Sequence, residues 1–411
     1  MTFLFIVVNL SVIFFLSRME SRRSAASNKI IYWTGLSLRL VGGLAIGIVY
    51  QYYYHTSGDT FVFFNDATQL ANLFYSDPGA YLEFLATGES PIGLVTIEGR
   101  SVFFVAIVSI VNLVTYNNYW LTSLWFSFFS FWSSHRLAVK LDPIAPASRI
   151  ALLFVPSVIF WTSGIIKESI AFGATAIIVI HFVSLMRNQK LTLIGWVALA
   201  VNLYLLLALK YYWGAVLIPC LLTSLIVQWR FRNKKPWVTA GIWILVFTLL
   251  SAIASFTHPN FYMERFFAVI VENHDKFVSI SRPGNLVEFN NLSASWVSIA
   301  TNSPLALWSG LFRPMIFEAD SLAGIVAAVE NLFLLVLVVW KLKSLKMPSP
   351  ENRLIAMAAI AYIIVLCVFL ALSTPNLGTL SRYRVGFLSF FVLIILNDHP
   401  LLRIISKWKT R

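Results

Sequence analysis

Residues 150–190 read IALLFVPSVIFWTSGIIKESIAFGATAIIVIHFVSLMRNQK: two apolar runs, 150–164 and 169–186, parted by Lys167 and Glu168 and closed by Arg187-Asn188-Gln189-Lys190. Runs of about 15 to 22 apolar residues match the roughly 30 Å hydrocarbon layer of a bilayer. The spacing predicts a helical hairpin that crosses a membrane, turns at its outer surface and returns to a basic loop. Similar runs at 3–16, 30–53, 119–134, 191–209, 213–229, 237–256, 322–340, 354–372 and 383–397 bring the expected crossings to about eleven. With 58% of 411 residues hydrophobic and only 12% charged, a water-soluble fold is excluded. The expectation is an all-α, polytopic helical membrane protein forming a single integral membrane domain over residues 1–411. Cys220 and Cys367 both lie in apolar runs, so neither a disulfide framework nor a cysteine metal site is implied.

The formal charge of +13 takes its meaning from where it sits. Six segments, 18–29, 135–149, 187–190, 230–235, 341–353 and the tail 403–411, taken with the adjoining Asp398, hold 21 Lys and Arg against Glu20, Asp142, Glu351 and Asp398, a net of +17; the remainder is −4. By the positive-inside rule these segments are cytoplasmic. The charge is thus a topological signal and implies no nucleic acid partner. The first run, 3–16, has its bases after it, opposite to a secretory signal, which predicts an uncleaved helix with its N-terminus outside and a cytoplasmic C-terminus. Residues 101–116 are apolar enough to cross, but a crossing there would invert every later loop. They are read as a helix in the outer interface. Two long external loops follow, 55–118 and 257–321, both expected to lie against the membrane as short interfacial helices.

Four external stretches carry chemistry. Ser57-Gly58-Asp59-Thr60 opens the first loop, and Asp59 at the membrane surface suits a general base. Asp66, seven residues on, shares its helical face, and two such carboxylates suit base catalysis or a divalent cation. The alternative is that Asp59 caps a helix starting at Thr60. Lys167 and Glu168 start a helix at the outer surface, where an ammonium and free N–H groups favour phosphate; a snorkelling lysine is the alternative. Gly310-Leu311-Phe312-Arg313-Pro314 ends the second loop, and Glu330 lies about two turns into the next helix, expected to pair with Arg39 or Arg313 in a structural salt bridge. Arg382-Tyr383-Arg384 opens the last crossing, a compact cationic pair suited to phosphate oxygens unless it is simply solvated. Tyr383, Glu168, Glu330 and Lys210 are expected to support these groups.

An outward helix followed by an Asp-bearing first loop, interfacial helices, the turn Pro156-Ser157-x-x-Phe160-Trp161-x-Ser163-Gly164-x-x-Lys167-Glu168 and late external arginines is similar in layout to the GT-C class of membrane glycosyltransferases. The resemblance covers most of the chain through short motifs. It implies a donor sugar on polyprenyl phosphate, a glycan or protein acceptor, Asp59 as base with Asp66 a second acid, and phosphate held by Lys167, Arg313, Arg382 and Arg384. It implies a bacterial cytoplasmic membrane with the active site on the external or periplasmic face. Where that class has paired acids, Gly58-Asp59-Thr60 stands here, which leaves the divalent cation open. Two rivals are weighed. A polysaccharide polymerase or ligase would depend on His258, His274, Arg265 and Arg282; a lipid-linked sugar flippase or other carrier would use mid-depth charges, of which Arg39, His181 and Glu330 are the candidates.

Overall fold

The structure, a computed structural model, describes residues 2–22, 26–53, 58–231, 234–256, 262–282, 284–344, 348–350 and 352–402. His258 and the basic tail 403–411 lie outside the described residues. The chain runs α1 (Thr2–Arg22), α2 (Ala26–Ile48, continued by a π-turn over Val49–Tyr53), α3 (Asp59–Ser76), α4 (Pro78–Thr87), α5 (Gly99–Thr115), α6 (Tyr119–Leu141), α7 (Ser148–Leu153), α8 (Pro156–Trp161), α9 (Lys167–Met186), α10 (Leu193–Phe231), α11 (Pro236–Ala254), α12 (Met263–Ile280), α13 (Trp296–Phe312), α14 (Leu322–Leu342), α15 (Arg353–Ser373), α16 (Leu377–Tyr383) and α17 (Val385–Leu396). No strand occurs among the described residues, so the all-α expectation holds. Seven of these helices are long and apolar enough to cross a membrane, or up to nine if each of two bent pairs is one span.

Differences from the expected runs have local causes. Residues 150–164 form two six-residue helices, α7 and α8, with a break at Phe154 and Val155. Pro156 explains the break: it offers no N–H and disfavours helical geometry at Val155, yet suits the first position of a new helix. The final run bends by 69° between α16 and α17, and α5 is bent by 115° from α6. Runs 191–209 and 213–229 agree with the structure: they are the two helical parts of α10, separated at Lys210 (φ −140°, ψ 63°). From Leu193 to Gln228 a straight helix would span about 52 Å. Gln228 nevertheless donates to the Met186 carbonyl at 3.2 Å, and Met186 is only seven residues before Leu193. The element therefore turns back sharply. Within the segment expected to be an external loop, Trp296–Phe312 forms α13, capped by the Ser295 hydroxyl on the Ser298 amide.

By its internal contacts the chain divides into two compact units, each described by itself: Met1–Val139 with Val158–Val179 and Ile194–Tyr211, and Lys140–Ser157 with Ile180–Leu193 and Tyr212–Arg411. The core of the first is built where α3 packs along α5: Phe63, Ala67 and Leu70 meet Phe104, Val105 and Val108, with Tyr81 and Phe84 of α4 and Phe126 of α6 closing the cluster. The turn between α3 and α4 is spelled by sequence: Asp77 accepts from the Ala80 amide at 3.0 Å and Pro78 takes the first helical position. Arg39 is wholly buried in this unit, donating to Ser130 (3.2 Å), the Val158 carbonyl and Thr162.

The second unit is organised on α15. Gly310 of α13 lies so close that a Cβ there would meet Cys367 Sγ at 2.4 Å; Phe266 of α12 stacks on Phe369 at 5.8 Å; and Tyr362 donates to the Gly386 carbonyl of α17 at 3.1 Å. Residues 285–287 pair with 375–377 through Val287 N–H to Pro375 O (2.8 Å) and Leu377 N–H to Asn285 O (3.1 Å). Three of the segments grouped by charge, 135–149, 187–190 and 341–353, meet in this unit. Lys140 donates to Gln189 (2.6 Å) and Arg187 to Asn352 (2.8 Å).

Candidate functional site

In the first unit, chemistry gathers where three helices begin. Gly58 caps α3 in extended conformation (φ −94°, ψ 157°), packed so closely on Tyr50 that a Cβ would come within 1.8 Å of its ring. The helix therefore starts at Asp59, an exposed carboxylate on the positive end of the helix dipole. Gly58, not Asp59, holds the cap position. Thr60 is pinned by Tyr119 at 2.8 Å, and Phe63, four residues after Asp59 and on its face, lies beneath the Lys167 ammonium, 5.4 Å from the ring centre.

Lys167 is the first residue of α9, with a side chain only 15% exposed. Its ammonium donates to Ser101 Oγ and lies 3.7 Å from Glu98 Oε2. Glu98 also pairs with Arg100 and accepts from Ser101 Oγ at 3.0 Å. Partial burial pushes the Glu98 carboxyl up, but the charges of Arg100 and Lys167 with the Ser101 hydroxyl outweigh it and hold the group below its usual range. The Arg100 guanidinium rests 5.0 Å from the Tyr211 ring centre. Next along α9, Glu168 is wholly buried and bound to Lys210 at 2.8 Å, at the break in α10. Three cations thus stand against two carboxylates, with Asp59 one helical turn from the Lys167 contact.

Glu98, Arg100 and Ser101 were not singled out by sequence reasoning. The available signal was Arg100 itself, one of ten bases outside the basic segments, in a Glu-Gly-Arg-Ser step that interrupts an apolar region. Asp66 departs from its expected role. It is buried, and its two oxygens accept from the Val95 (3.2 Å) and Thr96 (2.8 Å) amides, tying down the strap before α5. A divalent cation shared by Asp59 and Asp66 does not fit, because Asp59 is exposed while Asp66 is committed to backbone amides. Among the described residues no three His, Cys, Asp or Glu side chains converge as ligands.

In the second unit the late arginines are placed differently from the expectation. Glu330 pairs with Arg384 at 3.3 Å, not with Arg39 or Arg313. Glu330 also accepts from the Ser157 amide (2.8 Å) and hydroxyl (2.6 Å), so it caps α8 just after the break made by Pro156. Arg384 is wholly buried, donates to Asn331, and stands at the bend between α16 and α17; it is no surface cation. Asn331 in turn donates to the Pro314 carbonyl at 2.9 Å. Arg313 is held by Glu318, whose carboxyl partial burial raises, but which Arg313 and the Met315 amide keep below its usual range. Arg382 and Tyr383 are half-buried at the end of α16. Arg265 pairs with Glu272, and His274 Nδ1 lies 3.1 Å from Asp275. Compared with protein-family models, with curated proteins and with solved structures, the chain matches none.

Proposed function

We propose that the protein is a membrane glycosyltransferase that moves a sugar from a polyprenyl-phosphate-linked donor to a glycan or protein acceptor in surface-polysaccharide synthesis. One observation carries the reading: exposed Asp59 lies one helical turn from Phe63, on whose ring the Lys167 ammonium rests beside Arg100. Glycosyl transfer from a lipid phosphate needs opposite charges on two sides of one carbon. As the acceptor oxygen bonds to the anomeric carbon, Asp59 takes the hydroxyl proton; the bond to the phosphate oxygen breaks with its electrons, and Lys167 and Arg100 stabilise the charge left on phosphate. Arg313 and Arg384 serve the fold through Glu318 and Glu330.

The membrane placement belongs to the same proposal: about eleven crossings, N-terminus outside and C-terminus cytoplasmic, in a bacterial cytoplasmic membrane with Asp59 and Lys167 at the external face. The contact of three basic segments, 135–149, 187–190 and 341–353, with one another supports it. The test is purified protein in lipid nanodiscs with polyprenyl-phosphate sugars as donors. Asp59→Asn is expected to lower kcat by about 10²- to 10⁴-fold, and Lys167→Ala to raise KM.

A carrier is the second reading, favoured by the helix breaks at Phe154–Val155 and Arg384 and the buried Glu330–Arg384 pair that joins them. Broken helices with buried charge are common in carriers. Movement of lipid-linked sugar across proteoliposomes without transfer selects it.

A further inference from the structure

We infer that Glu98 is a built-in competitor for the anion site: its carboxylate holds the cations that a substrate phosphate takes, and it swings out when that phosphate binds. The inference rests on the reading of Lys167 and Arg100 as phosphate ligands and says how that site is regulated.

The donor set around Glu98 is the one a phosphate would use. Arg100 reaches one oxygen, and the Ser101 hydroxyl and Lys167 face the other. The side chain is 51% exposed, so leaving costs little buried surface, and its pair with the comparably open Arg100 is weak enough to exchange. Its backbone is anchored separately: the Glu98 carbonyl accepts from the Ser101 (2.7 Å) and Val102 (2.9 Å) amides at the start of α5. The carboxylate is therefore free to rotate while Arg100 and Ser101 stay in position. Glu168 makes the contrast. Wholly buried and bound to Lys210 at 2.8 Å, it is locked, and it holds the floor of the site rather than exchanging.

The consequence falls most heavily on product. Transfer leaves a phosphate monoester, which carries more negative charge than the diester donor and binds the same cations more tightly. A tethered carboxylate competing for Arg100 and Lys167 limits that affinity and favours release.

The experiment measures binding of a polyprenyl phosphate and, separately, inorganic phosphate to the full chain in nanodiscs, for wild type, Glu98→Gln, Lys167→Ala and the charge control Glu89→Gln, an exposed carboxylate of the same connection. Glu98→Gln is expected to tighten polyprenyl phosphate binding about three- to tenfold, Lys167→Ala to weaken it, and Glu89→Gln to leave it unchanged. Tightening for inorganic phosphate as well assigns the competition to the anion alone; tightening for the lipid only assigns it to the lipid headgroup. Should Glu98→Gln fail to fold, Glu98→Asp, which draws the carboxylate back from its cations, is expected to tighten binding by less. Equal or weaker binding by the Glu98 variants, with Lys167→Ala still weakening it, overturns the competitor and leaves the site standing. No binding by wild type or Glu98→Gln overturns the functional reading with it.

Discussion

Five of the charged side chains first read as substrate ligands or acids turn out to differ in their surroundings. Lys167 lies at a helix start beside half-exposed Glu98 and Asp59 is exposed at another, whereas Asp66, Arg313 and Arg384 are held by amides or carboxylates of their own unit. Sequence separation shows that a charge is costly in an apolar chain; only the fold shows its partner. The buried pair gives a clear prediction. Glu330→Gln leaves Arg384 uncompensated in the interior and is expected to cost about 3–5 kcal/mol, read as a lower melting temperature in detergent, while Glu330→Gln with Arg384→Met recovers part of it. Glu318 gives another. Its folded pKa lies below the unfolded value, so its contribution is present above the unfolded pKa and is lost as pH falls through the folded one. Melting temperatures of wild type and Glu318→Gln should therefore differ at neutral pH and converge in acid; a constant gap across that range contradicts the assignment.

Helices were legible as apolar runs, and some of their breaks were too. Pro156 marks the break before α8 and Lys210 the gap between runs 191–209 and 213–229, yet nothing local signalled that Arg384 would stand at a 69° bend. Those interruptions are stabilised by Glu168 and Glu330, which are distant in sequence. Helices were expected in the second loop, but the 17-residue extent of α13 was not legible because its serines, Asn302 and Pro304 read as polar breaks; Asn302 is satisfied by the Asn290 backbone (2.9 and 3.0 Å), which removes its cost. At the start of α3 a glycine is required. Gly58→Val forces Tyr50 to move and shifts Asp59, so kcat for transfer is expected to fall at least tenfold with thermal stability lowered far less than by Glu330→Gln. Unchanged kcat would mean that the Asp59 position is not critical.

Across the whole molecule the charge asymmetry was the most legible property, because insertion responds to Lys and Arg in short loops rather than to tertiary contacts. The structure adds that three of these segments, 135–149, 187–190 and 341–353, touch one another, which no charge count could show. Cys220 and Cys367 are buried, so single added cysteines report sidedness cleanly. Gln189→Cys is expected to react with an impermeant thiol reagent only after the cells are opened, and Gly93→Cys in intact spheroplasts; the reverse pattern inverts the topology. The central claim concerns chemistry at the start of α3. Transfer of radiolabelled sugar from a polyprenyl-phosphate donor, by wild type and Asp59→Asn at matched folded concentration, tests it most directly: the account predicts turnover by wild type and a loss of at least a hundredfold in the variant, and equal turnover by both would contradict it.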